Sequence, residues 1–285
     1  MRRLALLLAA LTVCLVAACA HARHAAPVPR LSKVAVLFLE NRGYHEVIGS
    51  PHAPFLNRLA RRGALETHYY ALGHPSLPNY LALLTGSTQG VTSDCNACEI
   101  DAASLPGELD AAHIPWRAYF EGIPRAGFSG NGVGDYSKHY NPFAYAEQTS
   151  EGATARRHVV GFDVLRRDLH RRSLPRFSWI TPDLLHDGHS GSLRESDRFV
   201  ARLVPRVVHA LGPHGVLFVT WDEAQGLTGP RGGRVALIAT GPGARQGVRL
   251  RVPADHLSLL ATLEAGLRLP PLGAGGTPLT GLLRP

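Results

Sequence analysis

Four short and uninterrupted apolar segments constrain the fold of this 285-residue chain more than any other feature. They span residues 34–39, 177–180, 215–220 and 234–240. A strand with one solvated face alternates apolar and polar residues, and these segments do not alternate. Each segment therefore predicts a strand that is buried on both faces, as in a parallel sheet covered by helices.

Helical patterns separate these strands along the chain. Apolar residues recur at helical spacing within residues 54–62, 77–84, 196–211 and 255–267. Pro205 predicts a break in the third of these helices. The alternation predicts a doubly wound α/β fold with a mostly parallel sheet, helices on both faces and a single domain over residues 27–285. Residues 122–150, rich in Gly, Asn and Tyr, predict a long surface loop or lid.

The first residues have the features of an export signal. The basic pair Arg2-Arg3 precedes an apolar run over residues 4–18, which is too short for a transmembrane helix. Val-Ala-Ala-Cys, ending at Cys19, resembles a bacterial lipobox, and Ala-Cys-Ala around the same cysteine fits ordinary signal peptidase. Residues 1–26 are therefore interpreted as a signal peptide or lipoprotein signal with a short linker. We expect an exported protein, either a periplasmic or cell-envelope lipoprotein held by lipidated Cys19 or a secreted protein.

Cys95 and Cys98 are the cysteines beyond this signal. In an exported protein, a C-x-x-C pair favours a small local disulfide. A redox dithiol or half of a zinc site could use the same spacing. However, the surrounding sequence is not thioredoxin-like, and the chain has no second C-x-x-C.

Polar side chains follow three of the predicted strands. They are Glu40 and Asn41 after the first strand, Asp183, His186, Asp187 and His189 after the second, and Asp222 and Glu223 after the third. Open α/β sheets bind ligands beyond the carboxyl ends of their strands, so we expect these groups at one edge. Clustered carboxylates repel one another without a cation, and the set predicts a divalent metal ion: Zn, Mn, Mg or Ca. For each group alone, helix capping or solvent exposure is the alternative.

Ser76 lies just before the predicted helix over residues 77–84 and is the candidate nucleophile. Backbone N–H groups at a helix N-terminus attract an anionic phosphoryl group, and a neighbouring metal lowers the pKa of a coordinated hydroxyl. The alternative is that Ser76 only caps this helix, with Pro78 in the first turn.

Several motifs, taken in order, resemble those of one known family. They are Glu40-Asn41-Arg42, His74-Pro75-Ser76-Leu77-Pro78-Asn79-Tyr80, Asp183 with His186-Asp187-Gly188-His189, Trp221-Asp222-Glu223, and Asp255-His256-Leu257-Ser258-Leu259-Leu260. Over residues 32–270 the chain resembles the bacterial phosphoesterase family, which holds secreted acid phosphatases and phospholipases C within the alkaline phosphatase superfamily. The resemblance implies an alkaline-phosphatase-like core and metal-dependent phosphoryl transfer.

The resemblance also implies a role for each motif residue. Glu40, Asn41, Ser76, Asp222 and Glu223 would hold the metal, and Ser76 would attack phosphorus to form a phosphoserine. Glu223 stands where many relatives have His, so one metal site is favoured over two. His186 and His189 would act as acid and base or bind phosphoryl oxygens. Asp183 and Asp187 would orient them or hold a second ion. The phosphate or substrate contacts would be His74, Asn79, Asp183 and His256.

Together these features predict an exported phosphomonoesterase of acid phosphatase type that acts on phosphoinositides or other small phosphoesters. The short C-terminal part favours this function over a phosphodiesterase or phospholipase C. A serine esterase built on the near G-x-S-x-G sequence at 188–192 and a non-catalytic lipoprotein that binds phosphorylated ligands are further alternatives. The formal net charge is +8, but the arginines are too scattered to predict a nucleic acid partner.

Overall fold

The computed structural model describes residues 27–226, 232–273 and 275–285. Residues 1–26, with the predicted export signal and Cys19, lie outside the described residues. No helix in the described part of the chain is long and apolar enough to cross a membrane.

Within the described residues, nine strands form one mixed sheet. They are β1 (Val34–Leu39), β2 (Ala64–Tyr70), β3 (Trp116–Phe120), β4 (Val159–Gly161), β5 (Phe177–Thr181), β6 (Val216–Trp221), β7 (Arg234–Thr240), β8 (Val248–Leu250) and β9 (Ala254–Asp255). The order is β4-β3-β5-β1-β6-β7-β2-β8, and β9 pairs with β2. β7 runs antiparallel to β6 and β2, and the other pairs are parallel. The predicted, mostly parallel α/β class is confirmed.

The predicted apolar segments form β1, β5, β6 and β7. All six residues of β1 are at most 1% exposed, because β5 and β6 flank this strand. β2 is missing from the sequence prediction because Glu66, Thr67 and His68 interrupt its apolar pattern. β4, β8 and β9 have at most three residues each, too few for a periodic signal.

Nine helices accompany the sheet in the described residues. They are α1 (Tyr44–Val47), α2 (Pro54–Arg62), α3 (Ser76–Thr85), α4 (Leu105–Ala111), α5 (Glu147–Ser150), α6 (Gly152–His158), α7 (Phe162–Arg171), α8 (Leu193–Leu211) and α9 (His256–Leu267). α8 begins before the predicted residue 196 because Ser192 and Glu195 form a capping box. The predicted break at Pro205 is wrong. The helix continues through this residue, and the burial of its apolar face compensates for the missing N–H.

Two groups of helices pack beside the sheet. α8 contacts α2 and α7, whereas α3 contacts α9. The ring of Phe38, near the end of β1, lies 4.5 Å from that of Tyr80 on α3 and 5.4 Å from that of His256 on α9, centroid to centroid. α3 and α9 therefore both meet the sheet next to the carboxyl end of β1.

Residues 122–150 differ from the predicted surface loop or lid. Tyr136 and Tyr140 are 3% and 6% exposed, and Phe143 is fully buried. The ring of Phe143 stacks on that of Trp116 at 5.5 Å and meets Trp179 edge-on at 5.4 Å. The second half of the segment is therefore part of the core, because its aromatic side chains fill space beside β3 and β5.

Candidate active site

The carboxyl ends of the neighbouring strands β1 and β6 bring together the first group of predicted site residues. Glu40 directly follows β1, and Asp222 and Glu223 directly follow β6. The backbone N–H of Asn41 donates to Asp222 Oδ1 at 2.8 Å. Asn41 has a φ of 52°, a left-handed conformation that asparagine tolerates better than most residues. The turn after β1 thus fixes the Asp222 side chain.

Ser76 joins this group from the first turn of α3. Its Oγ donates to Glu40 Oε2 at 3.1 Å, and the hydroxyl of Tyr80 donates to Glu40 Oε1 at 2.6 Å. Pro75 is the N-cap residue of α3, and its ring offers no capping side chain. The capping alternative therefore does not describe Ser76, whose hydroxyl points to a carboxylate instead. Tyr80 stands in the motif but was given no role from the sequence, although its spacing of four residues from Ser76 places both on one helix face.

Asp187 completes the buried group. Its backbone oxygen accepts from the N–H of Glu40 at 3.0 Å, which ties the segment after β5 to the end of β1. Its Oδ1 accepts from the N–H of His189 at 2.7 Å. Asp187, Glu40 and Asp222 are each 0% exposed. Three carboxyl groups are thus enclosed beside one serine hydroxyl.

Burial and mutual repulsion shape the electrostatics of these acids. Burial raises the pKa of Glu40 well above its ordinary value, and the charges of Asp222 and Asp187 raise it further. Burial likewise raises the pKa of Asp222 to about 6 and that of Asp187 to about 8. The pKa of Glu223 rises to about 9 through burial and the neighbouring charge of Asp222. Without a cation, the group resists full ionisation near neutral pH.

The oxygen atoms of this group fit a divalent cation. Asp187 Oδ2 and Asp222 Oδ2 are buried and have no hydrogen-bond partner. Orphaned carboxylate oxygens of this kind are costly unless a cation or proton satisfies them. His74 adds an imidazole, since its Nδ1 lies 2.8 Å from Glu223 Oε2. Carboxylates with one imidazole suit Mg, Mn, Ca or Zn, which leaves the metal open.

Asn79 and His256 do not take the substrate-contact positions that the resemblance implies. The side chain of Asn79 bonds to the backbone of the preceding loop, accepting from Leu72 N at 2.9 Å and donating to Gly73 O at 2.9 Å. His256 is fully buried, with Nδ1 2.9 Å from the hydroxyl of Tyr69 and Nε2 2.7 Å from the backbone oxygen of Asp222. Both side chains therefore hold the backbone of the site rather than face a substrate.

The neutral form of His256 follows from its surroundings. Burial lowers the pKa of this ring to about 4. A neutral imidazole donates from one nitrogen and accepts at the other, so Nε2–H donates to Asp222 and Nδ1 accepts from Tyr69. The ring thus connects β2 and α9 to the end of β6.

His186 and Asp183 lie in a second, separate cluster with Glu121. His186 Nδ1 lies 2.9 Å from Glu121 Oε2 and 3.1 Å from Asp183 Oδ1. The three residues are half-buried, and their ligand atoms are close enough together to hold a metal ion. The His186 ring stacks on Phe199 of α8 at 4.3 Å. The sequence therefore places His186 correctly at the sheet edge, but its nitrogen faces this cluster.

His189 lies at the mouth of the Ser76 site. Its ring is exposed, and its centroid is 5.9 Å from that of Tyr140, which in turn stacks on Tyr80 at 5.7 Å. Because Tyr80 bonds to Glu40, this row of rings connects His189 to the buried carboxylates. Tyr140 was not assigned to the site from the sequence.

The loop after α3 carries Cys95 and Cys98, which are joined by a disulfide. The residue before this pair, Asp94, accepts the backbone N–H of Leu77 at 2.9 Å. Leu77 is adjacent to Ser76, so Asp94 is a site residue that no pattern in the sequence predicted.

Comparison with known proteins decides the family. The sequence profile of the Phosphoesterase family matches residues 49–270. The chain belongs to the Phosphoesterase family. The match confirms the resemblance and covers Ser76, Asp222 and Glu223, whereas Glu40 and Asn41 precede the matched range.

Curated relatives of this phosphoesterase are named as phosphatases. A phosphatidylinositol-3-phosphatase of Mycobacterium tuberculosis is 29% identical over 253 residues, covering 87% of this chain and 81% of the relative. The phosphate-repressible acid phosphatase of Penicillium chrysogenum is 29% identical over 230 residues, covering 76% of this chain and 55% of the relative. The family and these relatives make the chain a hydrolase of phosphoric ester bonds.

Solved structures share the fold at low sequence identity. A protein of the alkaline phosphatase superfamily from Vibrio parahaemolyticus aligns with a TM-score of 0.60 and 13% identity, covering 85% of this chain and 68% of that protein. Murine ectonucleotide pyrophosphatase/phosphodiesterase 5 aligns with a TM-score of 0.59 and 12% identity, covering 90% of this chain and 100% of that protein. The alkaline-phosphatase-like core expected for this phosphoesterase is therefore confirmed.

Proposed function

We propose that this phosphoesterase is an exported phosphomonoesterase of acid phosphatase type that depends on a divalent cation and works through a phosphoserine. Its substrates would be small phosphoesters, including phospholipid headgroups such as phosphoinositides. The observation that carries the proposal is the hydrogen bond from Ser76 Oγ to Glu40 Oε2 beside orphaned carboxylate oxygens. The name of the Mycobacterium tuberculosis relative, a phosphatidylinositol-3-phosphatase, supports the phosphoinositide class.

The metal-holding residues in this proposal are Glu40, Asn41, Ser76, Asp222 and Glu223, arranged around one ion. A bound divalent cation would draw charge from the phosphoryl oxygens and lower the pKa of the Ser76 hydroxyl. Because Ser76 Oγ donates to Glu40 Oε2, the nucleophile is oriented before substrate binds.

The chemical steps follow from the positions of Ser76 and Glu40. Ser76 Oγ forms a bond to phosphorus while its proton passes to Glu40 Oε2, and the bond from phosphorus to the alcohol oxygen breaks. His189, at the mouth of the site, would protonate that leaving oxygen. Water then attacks phosphorus and passes its proton to His189, the bond from phosphorus to Ser76 Oγ breaks, and Ser76 Oγ takes back the proton held by Glu40 as phosphate leaves.

The proposal also assigns roles to Cys19, to His74 and to the pair His186 and Asp183. Lipidated Cys19 would attach the enzyme to the cell envelope, near lipid substrates, although this residue lies outside the described part of the chain. His74 would bind a phosphoryl oxygen through Nε2, which is buried without a partner. His186 and Asp183 would support the segment that carries Asp187 rather than touch the substrate.

Hydrolysis assays with and without a chelator test the proposal. We expect turnover of p-nitrophenyl phosphate to exceed that of bis-p-nitrophenyl phosphate across pH and to be lost with EDTA. Restoration by added Zn²⁺, Mn²⁺, Mg²⁺ or Ca²⁺ would identify the ion. Absence of chelator-sensitive hydrolysis would refute the phosphatase, and faster turnover of the diester would favour a phosphodiesterase.

Ser190 allows the esterase alternative to be tested in the same assay. Ser190 is exposed between β5 and α8 and is separated from both, whereas a nucleophile elbow turns directly from strand to helix. Ser190→Ala should retain nearly all phosphatase activity, and its inactivation would support an esterase-type nucleophile.

A further inference from the structure

The carboxylate of Asp94 accepts a hydrogen bond from a backbone N–H beside the proposed nucleophile. Its Oδ1 accepts the N–H of Leu77 at 2.9 Å, one residue after Ser76. Donors are scarce at this helix end because Pro75 and Pro78 have no N–H. The N–H of Leu77 is therefore one of the few backbone groups near Ser76 Oγ that can stabilise negative charge.

The charge of Asp94 acts on the site itself. After burial and the charge of Asp222, it is a further cause of the raised pKa of Glu223. It also contributes, after burial and the charges of the buried acids, to the raised pKa of Tyr140. Asp94 forms no salt bridge among the described residues, and the basic group that its charge reaches is His189, whose pKa it acts to raise.

An anion at this position resembles the proposed substrate in its contacts. A phosphoryl group bonded to Ser76 Oγ has oxygens within reach of the first backbone N–H groups of α3, where the helix dipole favours negative charge. The carboxylate oxygen of Asp94 already makes such a contact. A phosphoryl oxygen that accepts the Leu77 N–H would displace the Asp94 carboxylate from it.

We propose that Asp94 is a resident competitor of the phosphoryl group, which holds the Leu77 N–H in the free enzyme and limits the affinity for phosphate. This inference rests on the proposed phosphatase function. Asp94 would thereby weaken binding of the released phosphate and assist its departure. The short loop closed by the Cys95–Cys98 disulfide keeps the carboxylate next to the donor.

A helix cap is the simpler role for the same contact, and the two roles predict opposite effects. Removal of a cap destabilises α3 and weakens any ligand at its N-terminus. Removal of a competitor frees a donor and lowers negative charge, so an oxyanion binds more tightly.

Binding of inorganic phosphate and orthovanadate to the cation-loaded enzyme distinguishes these roles without turnover. We expect Asp94→Ala to bind phosphate about tenfold more tightly in isothermal titration calorimetry, because it removes a charge-assisted competitor. Asp94→Asn should show a smaller gain, since an amide oxygen accepts the same N–H without the charge. Asp101→Asn, an exposed acid past the disulfide, is the control and should bind as wild type does.

Equal or weaker phosphate binding by Asp94→Ala, with hydrolysis by the wild type intact, would overturn the inference and leave Asp94 as a cap. If the alanine variant does not fold, unchanged affinity in Asp94→Asn overturns it equally. Failure of the loaded wild type to bind phosphate or vanadate at all would instead refute the proposed function, and this inference with it.

Discussion

Two clusters of acidic residues lie at the same sheet edge, yet they differ in how their charge is balanced. In the cluster of Glu121, Asp183 and His186, an imidazole sits within 3.1 Å of a carboxylate oxygen on either side, and the residues are half-buried. In the Ser76 cluster, the carboxylates are enclosed, and two of their oxygens, Asp187 Oδ2 and Asp222 Oδ2, have no partner. In the first cluster the carboxylate oxygens find a partner in His186, whereas in the second they need a bound cation or protons.

The contrast indicates which of the two clusters needs a bound cation to offset the burial of its charges. Isolated charges in a buried site are expensive, and these acids respond with raised pKa values. A protein keeps such a cluster when something binds there. The Glu121 cluster can also hold an ion, but the imidazole of His186 already lies beside both of its carboxylates.

Ser76→Ala gives the largest effect expected from this comparison. Loss of the attacking oxygen should lower kcat for p-nitrophenyl phosphate roughly 10³-fold or more, as for other covalent catalysts. Ser87→Ala, an exposed serine just beyond the other end of α3, should keep wild-type kcat. Retained activity in Ser76→Ala would remove the proposed nucleophile.

Asp222→Asn compared with Glu121→Gln tests the comparison directly. The amide at 222 can still accept from Asn41, but it removes a charge that faces the proposed ion. We expect cation affinity, measured by calorimetry, to fall at least about 100-fold in Asp222→Asn and to stay unchanged in Glu121→Gln.

The stability of the metal-free proteins provides a second measurement. Burial raises the pKa of Asp222 to about 6, so its ionised form is costly above that pH. Asp222→Asn should therefore unfold at a higher temperature than the wild type in EDTA at pH 8. For the calorimetry, an equal fall in cation affinity in Asp222→Asn and Glu121→Gln would contradict the comparison and place the ion between the two clusters.

The sequence predicted the central strands and nearly all the residues of the Ser76 cluster, because a continuous apolar run marks a buried strand and its end marks the site. It did not predict which polar groups face one another. His186 and His189 are three residues apart, but the turn after β5 sends their rings to different clusters. Asp94 lies on a loop whose position depends on tertiary contacts that no local pattern encodes.

Glu264 separates the effect of burial from that of clustering. This carboxyl group is 3% exposed, lies on α9 away from both clusters and accepts from Leu272 N. Burial raises its pKa to about 7. The folded state then binds the proton more tightly than the unfolded state, so stability falls as pH rises from about 4 to about 7.

Glu264→Gln should remove this dependence. We expect the variant to gain on the order of 2 kcal/mol in unfolding free energy over the wild type at pH 8 and little at pH 4. Urea unfolding at the two pH values measures the difference. An equal gain at both would show that the charge of Glu264 is not its cause.

His186→Ala should give the smallest effect. Loss of a half-exposed ring between two acids should lower the unfolding free energy by about 1 kcal/mol. We expect kcat to fall no more than about tenfold, with the shape of its pH profile unchanged, because the ring supports the segment carrying Asp187. A fall in kcat as large as that in Ser76→Ala would instead assign His186 a catalytic role.

The reversed direction of β7 has a consequence for how such an enzyme can diversify. Because β6 and β7 are antiparallel neighbours, the chain leaves β6 at Asp222 and enters β7 on the same side of the sheet as Ser76. Insertions between these strands could therefore build new walls around incoming substrates without changing the register of β6 against β1. New substrate ranges could arise at that junction while the phosphate-handling groups are inherited intact.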